Sequence, residues 1–200
     1  MPNWCYTTII ISHTDEEKLE KFAELLEEWT SKDYMDNGFG LTWLGNIVGN
    51  SGIGTVDTGL PSDYRCRGSI TDWELMKNEI QIHTETAWSP MLKIWVDIVD
   101  TYLPDAKIIY YSIEEGNGIL DTNDPEYSNK YQIDIWENIE KLDIEPLEDY
   151  SEKEVIKILQ KLLNIKKKTI KALLKEFEES EYDDMMSIKK WDITPIENWK

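Results

Sequence analysis

Residues 69–87 have the sequence SITDWELMKNEIQIHTETA, in which apolar and polar residues alternate on either side of Lys77 and Asn78. Strict alternation is typical of a β-strand that buries one face, and a polar pair containing Asn is suited to a turn. The pattern therefore predicts a β-hairpin with strands over residues 69–76 and 79–87.

The second predicted strand has two chemically different faces. Its isoleucines share one face, and the other face carries Glu79, Gln81, His83 and Glu85, because successive side chains alternate across a strand. A histidine beside carboxylates is suited to general-base catalysis, but a surface position explains His83 equally simply. We interpret His83 as a surface residue.

One strand and one helix are predicted on each side of the hairpin. Residues 6–12 are rich in β-branched side chains, and apolar residues recur at helical spacing over residues 14–31. After the hairpin, a helix is predicted over residues 89–103 and a strand over residues 106–113. The order predicts an α+β, ferredoxin-like βαββαβ fold, with an antiparallel sheet and two helices on one face.

The rest of the chain is predicted to add to this domain. Residues 1–124 form the ferredoxin-like domain, with an insertion over residues 33–68 that is rich in glycine and predicted to be a loop or short strands. Residues 125–200 are predicted to be an acidic wrap and a helical region packed on that domain. The wrap includes a short strand at 131–136, and the helices span residues 155–163 and 165–177.

Composition excludes several classes of function. The 200 residues include 40 acidic and 21 basic ones, a net charge of −19, which repels nucleic acid and anionic membranes. Two cysteines are too few for a disulfide scaffold or a four-thiolate metal site. No apolar run reaches 18 residues, and the N-terminus is unlike a signal peptide. We expect a cytoplasmic protein with no metal and no cofactor.

Acidic residues predicted to face outward form a candidate protein-binding surface. Rows of carboxylates near aromatic side chains imitate the phosphates of nucleic acid and can dock into the basic groove of a nucleic-acid-processing protein. A homodimer formed through the same sheet face is an alternative. The candidate partner-binding residues are Asp72, Glu74, Glu79, Glu85, Glu114 and Glu115.

Several short motifs resemble those of a known family. The chain starts MPNWC, has TDWE at residues 71–74 and TAWSP at residues 86–90, and carries Tyr111, Glu114, Gly116 and Gly118 after the last predicted strand. This set resembles the YubB-type ferredoxin-like family of phage and plasmid proteins, over residues 1–32 and 69–120. The resemblance implies the fold and a mobile-element origin, but no catalytic residues.

This setting leads to two functional hypotheses, neither of them enzymatic. The first is an accessory protein that inhibits a bacterial host defence system, of the anti-CRISPR or anti-restriction type, through its acidic surface. The alternative is a protein that sequesters a signalling nucleotide of such a system. That function needs a cationic and aromatic pocket, for which Arg65, Arg67 and Trp88 are the candidates.

Other residues have weaker functional interpretations. We expect Trp4, Trp73 and Trp88 to form a core cluster, the alternative being a pocket with a tryptophan floor. Cys66 lies between two arginines, which favour a thiolate, and is the best candidate nucleophile.

The C-terminal region adds three expectations. The lysine-rich residues 166–175 are predicted to pair with the acidic domain or to form a separate interaction helix. Trp191 and Trp199 are expected to dock their indoles on the domain or on a partner.

Overall fold

The computed structural model describes residues 2–36, 38–56, 63–116, 118–137, 139, 149–166 and 169–199. Predictions for parts of the 33–68 insertion, for residues 140–148 of the acidic wrap, and for Lys167 and Lys168 fall outside these ranges. The chain forms two compact units, Met1–Asn123 together with Thr194–Lys200, and Asp124–Ile193. The last residues therefore belong to the first unit, although the sequence analysis assigned them to the second region.

The first unit contains an antiparallel sheet, which confirms the predicted α+β class. Its strands lie in the order β2-β3-β1-β4-β5, and each pairs antiparallel with its neighbours. The alternating segment of the hairpin forms β2 and β3 almost where predicted. The strands are β1 (Trp4–Ser12), β2 (Gly68–Leu75), β3 (Glu79–Ala87), β4 (Lys107–Glu114) and β5 (Ile119–Thr122).

Two predicted helices cover the apolar face of this sheet. Helix α1 (Glu16–Thr30) begins at Asp15, whose side chain accepts a hydrogen bond from the N–H of Lys18. Helix α3 (Leu92–Tyr102) is apolar along most of its length. Their apolar stripes pack against the buried isoleucines of the strands in one continuous core.

The insertion contains a helix that the sequence analysis missed. Helix α2 (Leu44–Ser51) places Leu44, Ile47 and Val48 in the core, at the spacing of one helix face. Its glycines argued against a helix because glycine has low helix propensity. At Gly45, however, an added Cβ would lie 2.2 Å from the Trp43 ring, so close packing requires glycine there. The prediction of a loop or short strands was wrong for this segment.

An irregularity in β2 determines which of its side chains face away from the helices. The pairing with β3 shifts between Ile70 and Asp72, which places Asp72 opposite His83 and Glu74 opposite Gln81. Such a bulge moves the following residues to the other face of the strand. Asp72 and Glu74, two positions apart, therefore both face away from the helices, whereas strict alternation from the buried Ile70 would place both on the buried face.

The second unit has its own three-stranded sheet and core. Strands β6 (Lys130–Ile135), β7 (Asp149–Ser151) and β8 (Met186–Lys190) lie in the order β7-β6-β8. Helices α4 (Glu152–Leu163) and α5 (Ile170–Glu178) pack their buried faces on this sheet. Strand β8 was not predicted from the sequence, because its alternation is short and it ends in two lysines.

Local signals explain how these segments begin and end. Asn164 adopts a left-handed conformation that ends α4, as expected for a helix break. A short strand β9 (Asp192–Ile193) and two 3₁₀ turns, at Pro125–Tyr127 and Ile196–Trp199, complete the elements.

Among the described residues, no helix has the length and apolar character needed to cross a bilayer.

Candidate functional site

A cavity of about 820 Å³ in the first unit lies between the segment before β2 and the start of α3. Its lining includes Arg65, Arg67 and Trp88, the three residues named from sequence as candidates for a ligand pocket. The volume is within the range of small-molecule sites. Side chains that sequence reasoning did not assign to it include Tyr64, Met91, Lys93 and Trp199.

Hydrogen bonds fix the segment that carries the two arginines. The N–H of Tyr64 donates to the carbonyl of Thr55 at 3.0 Å, and the buried Trp43 indole donates to the carbonyl of Cys66 at 2.8 Å. The carbonyl of Arg67 accepts from the N–H of Ala87 at 2.8 Å. The arginine side chains therefore start from a backbone held at both ends.

Trp88 has an unusual backbone conformation at the junction between β3 and α3. Its φ is 74°, a left-handed value that costs a residue with a bulky side chain free energy. Its N–H donates to the carbonyl of Asn3 at 2.8 Å, and the following residue is fixed by the Thr86 hydroxyl, which donates to the carbonyl of Ser89 at 2.9 Å. These contacts hold an indole that is 44% exposed at the cavity wall.

The two guanidinium groups form no ion pair with another residue that the structure describes. Arg65 and Arg67 are exposed, and they are the two arginines of the chain. Lys93, by contrast, forms an ion pair in which its Nζ lies 2.9 Å from Oδ2 of Asp97. In a chain with a net charge of −19, this cavity concentrates cations that are available to an anion.

The neighbouring wall is fixed by a carboxylate that accepts two donors. The hydroxyl of Tyr64 donates to the carboxylate of Asp97, and Nζ of Lys93 donates to Oδ1 of the same carboxylate at 3.2 Å. Burial, followed by this hydrogen bond and the charge of Asp97, raises the pKa of Tyr64 well above its usual range. The phenol therefore stays protonated and neutral beside the cavity.

The C-terminal segment supplies a second aromatic wall. Trp199 lies in the turn Ile196–Trp199, packs on the core of the first unit, and its indole donates to the hydroxyl of Tyr110 at 3.4 Å. The hydroxyl of Tyr110 in turn donates to the carbonyl of Thr194 at 3.1 Å. The indole of Trp199 is thus fixed by contacts within the first unit.

The acidic candidates occupy a different surface, on the face of the sheet away from the helices. Glu79 and Glu85 alternate with the buried isoleucines of β3, and the bulge in β2 brings Asp72 and Glu74 to the same face. Glu85 lies opposite Tyr6 in β1, and its charge is the main cause of the raised pKa of that phenol. Four of the six predicted acids therefore share one surface.

The remaining two acids differ from each other in exposure. Glu115 is exposed after β4. Glu114 is 1% exposed, and its Oε1 accepts the N–H of Gly116 at 2.7 Å. The assignment of Glu114 to an exposed partner-binding surface is therefore wrong, because its position in β4 places it on the buried face.

Two further sequence interpretations need correction. Trp4 and Trp88 are 42% and 44% exposed, so they do not belong to the predicted core cluster, and Trp73 alone of the three packs against the core. Cys66, the candidate nucleophile, is buried beneath the arginine segment.

No group of three or more His, Cys, Asp or Glu side chains suited to a metal ion occurs within the described ranges.

Comparisons with known proteins do not add to these observations. A scan against protein-family models matches no family, and neither a curated protein nor a solved structure matches the chain. The cavity lined by Arg65, Arg67 and Trp88 and the acidic face of the sheet are therefore the features from which a function can be inferred.

Proposed function

We propose that the first unit is ferredoxin-like and binds a small nucleotide in the cavity lined by Arg65, Arg67 and Trp88. The fold assignment is supported by the strand order β2-β3-β1-β4 and by the helices that follow β1 and β3. The function is supported chiefly by one observation: both arginines of the chain lie at one cavity without ion-pair partners among the described residues.

The chemistry of the lining suits the two parts of a nucleotide. Guanidinium groups bind phosphate through paired, charge-assisted hydrogen bonds. The N-terminus of α3, which no side chain caps, adds the positive end of a helix dipole at the same cavity. The flat indole of Trp88 offers a surface on which a base can stack. The site thus combines a phosphate region with an aromatic wall.

Binding without turnover fits this arrangement better than catalysis. The charged lining groups other than Asp63 are hydrogen-bond donors, and Asp63 already accepts from the Thr55 hydroxyl at 2.7 Å. We extend the proposal to the setting that the sequence motifs imply, in which a phage or plasmid protein sequesters a signalling nucleotide of a host defence system.

Calorimetric titration with linear and cyclic nucleotides tests the proposal. The variant R65A/R67A is compared with K18A/K21A, which removes the same charge from exposed residues of α1. We expect the arginine variant to weaken binding by about a hundredfold or more, because each charge-assisted hydrogen bond contributes about 1.5–3 kcal/mol and the variant removes at least two. If both variants lost affinity equally, the loss would be explained by net charge alone, which would contradict a specific site.

A second candidate function is supported by the shared face of Asp72, Glu74, Glu79 and Glu85. We propose that this face docks on a basic, nucleic-acid-processing protein of a defence system such as CRISPR or restriction. Complementary charge accelerates such association, and salt weakens it.

Affinity capture from a defence-carrying bacterial lysate, with elution by a salt gradient, tests this second function. The matched variant is D72N/E74Q/E79Q/E85Q, which keeps side-chain shape and removes charge. We expect the wild-type protein to retain a basic nucleic-acid-processing protein that the variant releases at lower salt. Identical elution from both would contradict a role for this face.

A further inference from the structure

A smaller cavity of about 240 Å³ lies at the end of the first unit's sheet where β1 begins and β4 ends. It is below the usual size of small-molecule pockets, so it suits a single functional group. None of its lining residues lines the larger cavity. The lining residues are Asn3, Trp4, Tyr6, Glu114, Glu115 and Gly116.

Two exposed aromatic side chains form one wall. Trp4 and Tyr6 are two residues apart in β1, so both project from the face of the sheet opposite the helices. They are 42% and 55% exposed, although large aromatic side chains are usually buried or paired. Core packing therefore does not explain their positions.

Carboxylates surround the aromatic wall. Glu115 is an exposed lining residue, and Glu114 also lines the cavity although it is 1% exposed and its Oε1 accepts the N–H of Gly116. The charges of Glu85 and Glu115 both raise the pKa of the Tyr6 phenol, the effect of Glu85 being larger. The cavity therefore lies in a negative potential that opposes anions and attracts cations.

Gly116 allows the cavity to keep this form. An added Cβ at this position would lie 2.1 Å from Nδ2 of Asn3 and 2.9 Å from Oε1 of Glu114. The absence of a side chain thus lets the Asn3 amide pack directly above the turn that follows β4. A buried glutamate and a closely packed asparagine are therefore among the lining residues.

We propose that this cavity binds the guanidinium group of an arginine side chain on a protein partner. Aromatic faces attract guanidinium groups, which stack on an indole while they donate paired hydrogen bonds to a carboxylate. Trp4 and Tyr6 supply the faces, and Glu115 supplies an accessible carboxylate. The inference depends on this cavity alone and holds whether or not the larger cavity binds a nucleotide.

Nuclear magnetic resonance titration with N-acetyl-arginine amide tests the inference on the full chain. The indole N–H signal of Trp4 is followed, and N-acetyl-citrulline amide serves as the neutral control of nearly the same shape. We expect the arginine compound to shift the Trp4 signal saturably and the citrulline compound to leave it unchanged. Equal shifts by both compounds, or none by either, would overturn the proposal.

Two variants distinguish binding at this cavity from a general effect of the chain's negative charge. Glu115→Gln neutralises the exposed carboxylate of the cavity, and Glu24→Gln removes an equally exposed carboxylate from α1. Both sites are exposed, so both proteins are expected to fold. We expect E115Q to weaken arginine binding by about three- to tenfold and E24Q to leave it unchanged. Equal affinities of E115Q and the wild-type protein would contradict the assigned role of Glu115.

Discussion

The main-chain N–H of Trp88 donates a hydrogen bond to the carbonyl of Asn3 at 2.8 Å. This bond joins the MPNWC start of the chain to the TAWSP junction, two motifs more than eighty positions apart in sequence. It extends the pairing of β1 with β3 by one residue and helps to hold Trp88 in its left-handed conformation. The N-terminal segment therefore contributes to the position of an aromatic wall of the larger cavity.

Trp88→Gly is expected to preserve stability while it abolishes stacking. Glycine adopts a φ of 74° without the cost of about 1–3 kcal/mol borne by other residues, which offsets the lost contacts of a half-exposed indole. We predict a free energy of unfolding within about 1 kcal/mol of wild type. Urea denaturation measures it.

Nucleotide affinity should fall about tenfold in the same variant, because stacking on an aromatic side chain contributes about 1–3 kcal/mol per base. Trp136→Ala is the matched control, since it removes another exposed tryptophan that does not line the cavity. A W88G protein that binds nucleotide as tightly as wild type would show that the strained conformation serves some purpose other than stacking.

Trp43→Phe is expected to lower both stability and affinity. The change keeps an aromatic ring in the core but removes the indole N–H that donates to the carbonyl of Cys66. A buried carbonyl that loses its donor costs about 1–3 kcal/mol. The arginine segment is then held less firmly, so nucleotide affinity should fall as well.

This result would contrast with R65A/R67A, whose effect should be confined to affinity because both side chains are exposed. Unfolding and binding measurements on the two proteins make the comparison. Unchanged affinity in W43F, despite reduced stability, would contradict a positioning role for Trp43.

Asp97→Asn is expected to strengthen anion binding. The substitution removes the charge that pairs with Lys93, and leaves an amide oxygen that can accept from the hydroxyl of Tyr64. Lys93 lines the cavity, so an unpaired ammonium there adds a favourable charge for phosphate. We predict an affinity gain of about two- to fivefold at low salt, measured by calorimetry. A loss of affinity would show that the position of Tyr64 matters more than charge.

Glu154 is expected to make the stability of the second unit depend on pH. Its carboxylate accepts from the hydroxyl and the N–H of Ser151, which lowers its pKa below the ordinary value. A lowered folded-state pKa contributes stability above the unfolded-state pKa, and this contribution disappears as the pH falls through the folded-state value.

Glu154→Gln removes this dependence while it retains hydrogen-bonding capacity. The stability difference between wild type and E154Q should therefore shrink between neutral pH and about pH 3, as followed by urea denaturation. A difference that stays constant over this range would contradict the assigned role.

Local patterns were sufficient to predict most of the first unit's framework. Alternation in residues 69–87 located β2 and β3 to within one residue, and in β3 buried residues alternate with half-buried ones. Helix α2 was not predictable in this way, since its glycines lower helix propensity and are required by contacts with the rings of Trp43 and Tyr34. The bulge in β2 corresponds to a break in the alternation, because Ile70 and Trp73, which both contact the core, are three positions apart.

The candidate site could be predicted only in part. Residue chemistry suggested Arg65, Arg67 and Trp88, and the structure places them at one cavity. A stronger signal was present, because the chain contains two arginines and they lie two positions apart. Lys93 and Trp199 could not be assigned from sequence, since tertiary packing alone brings the C-terminal segment to the start of α3.

The two arginines also provide the most direct measurement of nucleotide binding. A ¹⁵N-labelled sample contains two arginine Nε–H groups, which can be followed while nucleotides and the corresponding uncharged nucleosides are added. We predict that at least one nucleotide shifts both Nε–H signals and the Trp88 indole signal with the same saturation curve, and that nucleosides leave the arginine signals unchanged. If every nucleotide leaves both arginine signals in place, the proposed site is contradicted.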